Sequence, residues 1–214
     1  VDSASLTAAG INPESLVDNS TGFRAAIYTD GNGHYVVSYA GTDPKSLADW
    51  KANGAQGLGW DSAQYNQAIA LAKDAKAAYG DNVVMTGHSL GGGLASAAAL
   101  ATDSPAVTFN AAGLNDKTIA KLDLDPAAAK AQAENGQIRR YAVQGEILTG
   151  IQEHNIVTRG LAPDAVGHKI ELPDPHPLSW GKRLIPGAGL KHSVDLHGMD
   201  SVTDSMKEHP PWGG

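Results

Sequence analysis

The stretch Asn82–Ala101, NVVMTGHSLGGGLASAAALA, restricts the fold more than any other part of the chain. β-favouring residues run into a serine flanked by glycines, and a run of very small side chains follows. Gly87-His88-Ser89-Leu90-Gly91 matches G-x-S-x-G. In that pattern a strand turns sharply into a helix, with the serine at the bend in a strained backbone conformation. Side chains two positions to either side would collide, so glycine occupies both places. The helix that follows aims its free N–H groups at the place where negative charge would develop on a substrate. Ser89 is therefore expected to be a nucleophile. A phosphate-cradling turn is the rival, but no Walker lysine follows the glycines and no G-x-G-x-x-G precedes the helix. His88 reads as a packing or hydrogen-bonding residue rather than a catalytic one.

Elements on either side fit an α/β architecture. Phe23–Tyr28 and His34–Tyr39 read as strands joined through Asp30-Gly31-Asn32-Gly33, a hairpin signal. Ser62–Tyr79 carries apolar residues on one helical face and is stopped by Gly80. Val83–Thr86, Ala106–Phe109 and Ile138–Val143 read as buried strands. Leu94–Thr102 and Pro126–Glu134 read as alanine-rich helices, and Val194–Lys207 as one last helix with Gly198 an unfavourable residue in its middle. Alternation of strand and helix from residue 62 onward predicts a mostly parallel sheet flanked by helices, entered through an antiparallel hairpin. Between Gly150 and Leu190 the pattern dissolves into Gly, Pro, His and short apolar pieces. We expect one domain over 1–214, with 150–190 as an irregular, cap-like insertion.

Composition removes several function classes. The 214 residues carry a formal net charge of −7, so neither a nucleic acid nor an anionic membrane is expected to attract the chain as a whole. Cysteine is absent, which excludes disulfides, thiolate nucleophiles and cysteine-ligated zinc. The longest apolar run, Leu94–Ala101, is short and mostly alanine, too short to cross a bilayer. Val1-Asp2-Ser3-Ala4-Ser5 has neither an initiator Met nor the pattern of a signal peptide, so an excised domain or a processed chain is expected.

Two further stretches add a resemblance. YVVSYAGTD ends a strand in Gly41-Thr42, and Asp49-Trp50 and Asn53 follow before GHSLGG. Together they resemble the class 3 lipases, α/β-hydrolases that cleave acyl esters, and bacterial phospholipase A effectors with the same core. The likeness covers Phe23 to Phe109 best. It departs at Ala40, where the family usually has Arg. The resemblance implies an α/β-hydrolase fold, an oxyanion hole from the N–H groups of Thr42 and Leu90, and a mobile cover over Pro44–Trp60, for which Trp50 as a buried anchor of the loop is the alternative. It also implies a lipid or phospholipid substrate met at a membrane surface, release or delivery to another cell's envelope, and an immunity protein as a partner.

A serine needs a base, and the base needs an acid to hold its tautomer. In this fold the acid follows the nucleophile and the histidine comes last. Family members carry Asp-Ile/Val-Val after the strand matching Ile138–Val143. Glu146-Ile147-Leu148 matches with Glu in place of Asp, and Asp116 and Asp164 are rivals. Of eight histidines, His34 is out of order, His154 follows the acid too closely, and His209 lies near the chain end. His168 and His176 fall in the irregular stretch. His197 and His192 remain. His197 is favoured because Gly198 would end its helix and free the imidazole. These two histidines lie too far apart for a helical i, i+4 zinc pair, and no metal or other cofactor is expected. Leu178, Trp180, Leu184 and Ile185 could line an acyl groove, touch lipid, or simply cover the core. A small-ester or neutral-lipid esterase, and a non-catalytic binding module of the same shape, stay open as alternatives.

Overall fold

The computed structural model describes residues 1–41, 62–146 and 165–211. Among them, seven strands form one sheet and lie side by side in chain order. After the short helix α1 (Ser3–Ala8), strands β1 (Val17–Asp18), β2 (Phe23–Thr29) and β3 (Tyr35–Tyr39) pair antiparallel. β4 (Val83–His88), β5 (Ala106–Phe109), β6 (Ile138–Val143) and β7 (His168–Leu172) continue parallel to β3. The result is the expected mixed, mostly parallel sheet flanked by helices, an α/β-hydrolase-like fold. Its β2–β3 turn is built on Asp30, whose carboxylate accepts from the N–H groups of Asn32 and His34 at 2.8 and 3.2 Å.

Winding in one direction has a consequence for the layers. Right-handed crossovers between successive strands put their helices on one face of a sheet. That face carries α2 (Ser62–Tyr79), α3 (Leu90–Thr102), α4 (Asp116–Ala120) and α5 (Pro126–Gln132). Their buried Leu71, Ala75, Leu94, Ala98, Ile119 and Ala129 pack with Val37, Met85, Ala106 and Ile138 of the strands. Side chains alternate across a strand, so Val107, Phe109, Tyr141 and Val143 point to the other face. There they meet Leu196 and Val202 from α7 (Ala188–His197) and α8 (Met199–Glu208). The second cluster is much the smaller of the two.

Small residues govern the larger core. From Gly91 to Leu100 every residue of α3 is buried, and all but two leucines are Gly, Ala or Ser. That lets α3 lie close to both the sheet and α2. Tyr39 crosses this packing and donates its hydroxyl to the Ala68 carbonyl of α2 at 3.0 Å.

Three elements differ from the sequence expectation. β7 lies inside the stretch read as patternless; HKIEL lacks a strand's apolar alternation, buries only Leu172 fully, and among the described residues pairs with β6 alone. The alanine-rich helix ends at Gln132 and continues as a wider turn, Ala133–Gln137, in which Gly136 takes φ +112°. The last helix is two helices: α7 starts at Ala188, and Gly198, at ψ 153°, separates it from α8.

Candidate functional site

Ser89 occupies the bend between β4 and α3 with φ 56° and ψ −123°, outside the regions open to ordinary residues. Holding such a conformation costs about 1–3 kcal/mol and requires surroundings that over-determine it. The backbone supplies them. Ser89 N–H donates to Phe109 O at 3.1 Å, and its carbonyl accepts from Gly92, Gly93 and Ala112 N–H at 3.0, 3.2 and 2.9 Å. Its hydroxyl does not cap the helix, and the residue is 6% exposed.

The flanking glycines are steric requirements. A Cβ on Gly87 would overlap the Gly91 carbonyl, and one on Gly91 would overlap the Tyr39 carbonyl. Gly41, where β3 ends, also abuts the bend: a Cβ there would lie 2.7 Å from His88 O and 3.4 Å from Ser89 Cβ. Leu90 opens α3, so its N–H has no acceptor one turn earlier within the helix. Thr42, the other expected oxyanion donor, lies outside the described residues, as do Asp49, Trp50, Asn53 and the expected cover over Pro44–Trp60.

His197 and Glu146 come together from distant parts of the chain. Glu146 follows a turn after β6 in which Gly145 has φ +81°. His197 is the last residue of α7, where Gly198 turns the backbone away. His197 Nδ1 and Glu146 Oε2 are 2.6 Å apart, and both side chains are buried, at 4% and 0% exposure. An ionised carboxylate only accepts, so Nδ1 carries the hydrogen, and in the neutral ring Nε2 keeps a free lone pair. Nε2 is buried and has no hydrogen-bond partner among the described residues. A bond from Ser89 Oγ is therefore not formed.

The backbone of His197 is tied as tightly as its ring. Its carbonyl accepts from His88 Nε2 at 2.6 Å and from Asn110 Nδ2 at 3.0 Å. Asn110 also reaches Leu196 O at 3.2 Å, and its own Oδ1 accepts from Val143 N–H at 2.9 Å. One amide thus joins the ends of β5, β6 and α7. The His88 and His197 rings lie 4.8 Å apart, which sets the imidazole beside the bend. Burial pushes the His88 pKa down, and the proximity of His197 adds to that, so His88 is neutral at pH 7 and donates through Nε2. The turn before Glu146 is tied to α7 by Ser193 Oγ, which donates to Gly145 O at 2.7 Å.

The rivals sit elsewhere. His192 Nε2 meets Asp174 Oδ2 at 2.7 Å. Asp116 is at the surface, paired with Lys130 at 2.7 Å. His34 pairs with Asp30 and His176 with Asp204, while His168 and His209 are exposed. Asp164 and His154 lie outside the described residues. Among the described residues no three metal-ligating side chains cluster. Trp180, Leu184 and Ile185 do not cover the core: they are 79, 67 and 57% exposed. Sequence reasoning missed Asn110. Its signal was an asparagine directly after a strand, and it takes the left-handed conformation (φ 42°) that asparagine adopts more readily than most residues.

Two comparisons bear on this arrangement. Residues 1–172 match the phospholipase-like family described as the Tle-like phospholipase domain. The chain is also 50% identical over 211 residues to a Serratia liquefaciens protein called extracellular phospholipase A1. That alignment takes in 99% of this chain and 64% of the relative, so the chain spans a little under two thirds of the relative's length.

Proposed function

This chain belongs to the Tle-like phospholipase domain family, and from that premise we propose that it is a serine esterase cleaving acyl esters of glycerophospholipids. The observation that carries the proposal is the buried His197–Glu146 pair beside the serine bend, with Nε2 left unpartnered. A buried nitrogen without a partner costs stability, and a role in proton transfer would explain why this cost is kept. In this reading Ser89 Oγ attacks the ester carbonyl while His197 Nε2 takes its proton, and Glu146 stabilises the resulting imidazolium. The N–H groups of Leu90 and Thr42 hold the tetrahedral oxyanion. The proton on His197 then leaves with the alcohol, here the lysophospholipid, and water repeats the cycle on the acyl-enzyme.

The relative's name supports attack at the sn-1 ester, and the short motifs around Gly41 and Ser89 support a core like that of the class 3 lipases. Among the described residues no helix is long and apolar enough to cross a membrane. Secretion and a protein that blocks the site are extensions of this reading. The test uses phosphatidylglycerol and phosphatidylethanolamine with different acyl chains at the two positions. Fatty acid from sn-1 should appear, and a fluorophosphonate should label the wild type but not Ser89→Ala. Wild-type fatty-acid release by Ser89→Ala would sink the proposal.

A further inference from the structure

Between β7 and the body of α7 the chain leaves the core. Nine consecutive residues, Ser179–Gly187, are exposed, including the short helix α6 (Trp180–Arg183). At the tip stand Trp180, Leu184 and Ile185, with Leu190 beyond them at 50% exposure. An indole and three branched aliphatic side chains left in water cost free energy, and such a group on a protein surface marks a contact. The excursion is pinned at its base. His192 meets Asp174 at 2.7 Å across its neck, and both side chains are largely buried, at 18 and 21% exposure. Ser205 Oγ donates to Pro173 O at 2.7 Å, and His176 meets Asp204 at 3.1 Å, so α8 holds the outgoing strand as well.

Charge identifies the occupant. The chain as a whole is acidic at −7, yet no Asp or Glu occurs from Pro175 to Val194. That stretch holds Lys182, Arg183 and Lys191. Lys191 pairs with exposed Asp195 at 3.0 Å, and Arg183 Nε donates to Leu178 O at 3.0 Å, while the Lys182 side chain extends from exposed α6. Cations interleaved with Trp, Leu and Ile are the combination that lies at the boundary of phosphate headgroups and acyl chains. An acidic protein partner would account for the cations, but cations interleaved with Trp, Leu and Ile in one short exposed excursion match the headgroup boundary more closely. α7 connects this tip to the site: from Ala188 to His197 it rises roughly 14 Å, and its last residue is the proposed base.

We propose that the Ser179–Leu190 excursion docks on an anionic phospholipid bilayer, inserting Trp180, Leu184 and Ile185 among the headgroups while Lys182 and Arg183 meet phosphate. The inference rests on the phospholipase reading for its biological sense, but its test does not depend on turnover. Ser89→Ala protein is mixed with phosphatidylglycerol vesicles and with phosphatidylcholine vesicles, and binding is followed by co-sedimentation. Tighter binding to phosphatidylglycerol is expected. Trp180→Ala/Leu184→Ala/Ile185→Ala in the same background should weaken it on the order of 100-fold. Lys182→Gln/Arg183→Gln should weaken it about tenfold at low salt and little at high salt. With Ser89 restored, both variants should hydrolyse a short soluble ester at the wild-type rate, which shows that they are folded. Vesicle binding within twofold of the parent for both variants would overturn the proposal. So would a dimer in solution that the triple substitution dissolves while vesicle binding is absent. If wild-type protein cleaves no ester at all while docking behaves as described, the catalytic proposal fails and the docking surface stands.

Discussion

Ser89 is held by backbone against backbone. Its N–H and carbonyl are bonded to β5, the loop after it and the first turn of α3, and the neighbouring glycines press directly on the ends of β3 and α3. At the other end of the chain, His197 is held by side chains: Glu146 on its ring, His88 and Asn110 on its carbonyl, and beneath it a small cluster around Leu196 and Val202. The first arrangement cannot yield, because peptide groups cannot repack. The second can, because each tie is a single hydrogen bond. A rigid bend beside an adjustable imidazole suits the proposed chemistry, in which the ring meets first one oxygen and then another.

The contrast predicts different failures at the two ends. Gly91→Ala is expected to be the most damaging substitution, because the added Cβ meets the Tyr39 carbonyl and nothing there can rotate away. Loss of more than about 4 kcal/mol is expected, which is enough to prevent folding; soluble yield and a thermal melt would show it. A Gly91→Ala protein melting at the wild-type temperature would break the comparison on the rigid side. Glu146→Gln keeps the size of the side chain but cannot enforce the Nδ1–H tautomer. It should lower kcat about 10³–10⁴-fold with the fold intact by circular dichroism.

Asn110→Ala tests the adjustable side. It leaves Val143 N–H buried without its acceptor and loosens the end of α7. A cost of about 1–3 kcal/mol is expected, together with roughly a tenfold fall in kcat as the ring loses its setting. A stability loss of that size with unchanged kcat would show that the amide only braces the sheet. The smallest effect concerns pH. Burial lowers the His88 pKa in the folded protein below its ordinary 6.5. Below about pH 6.5 the unfolded chain therefore binds more protons, and stability contributed by neutral His88 is present above that pH and lost as pH falls through and below it. His88→Gln should remove part of the acid-side decline in Tm; an unchanged Tm–pH curve would assign that decline to other groups.

Much of the architecture was legible because it is written in local patterns. Ser62–Tyr79 and Ile138–Val143 have the observed bounds of α2 and β6, since their apolar spacing and stop signals lie within the segments themselves. β7 was not legible, because its sequence, HKIEL, owes its strand conformation to the β6 edge rather than to its own alternation. The same division holds at the site. Glycines around Ser89 announce a close approach of backbones, and no side chain elsewhere changes that requirement. Glu146 was offered by its place after a strand and by a family resemblance, with Asp116 and Asp164 as rivals, and Asn110 was not offered at all, because a tie between three element ends has no local pattern.

The sequence by itself determined the bend, because the steric demand for glycine at 87 and 91 is settled within a few residues of the serine. Only the tertiary structure decided which imidazole stands near it. His192 and His197 lie five positions apart and both fit the chain order, yet α7 turns one toward Asp174 and buries the other against Glu146. The difference lies in the rotation of a helix about its axis, and that is fixed by Leu196 and Val202 packing on the far face of the sheet.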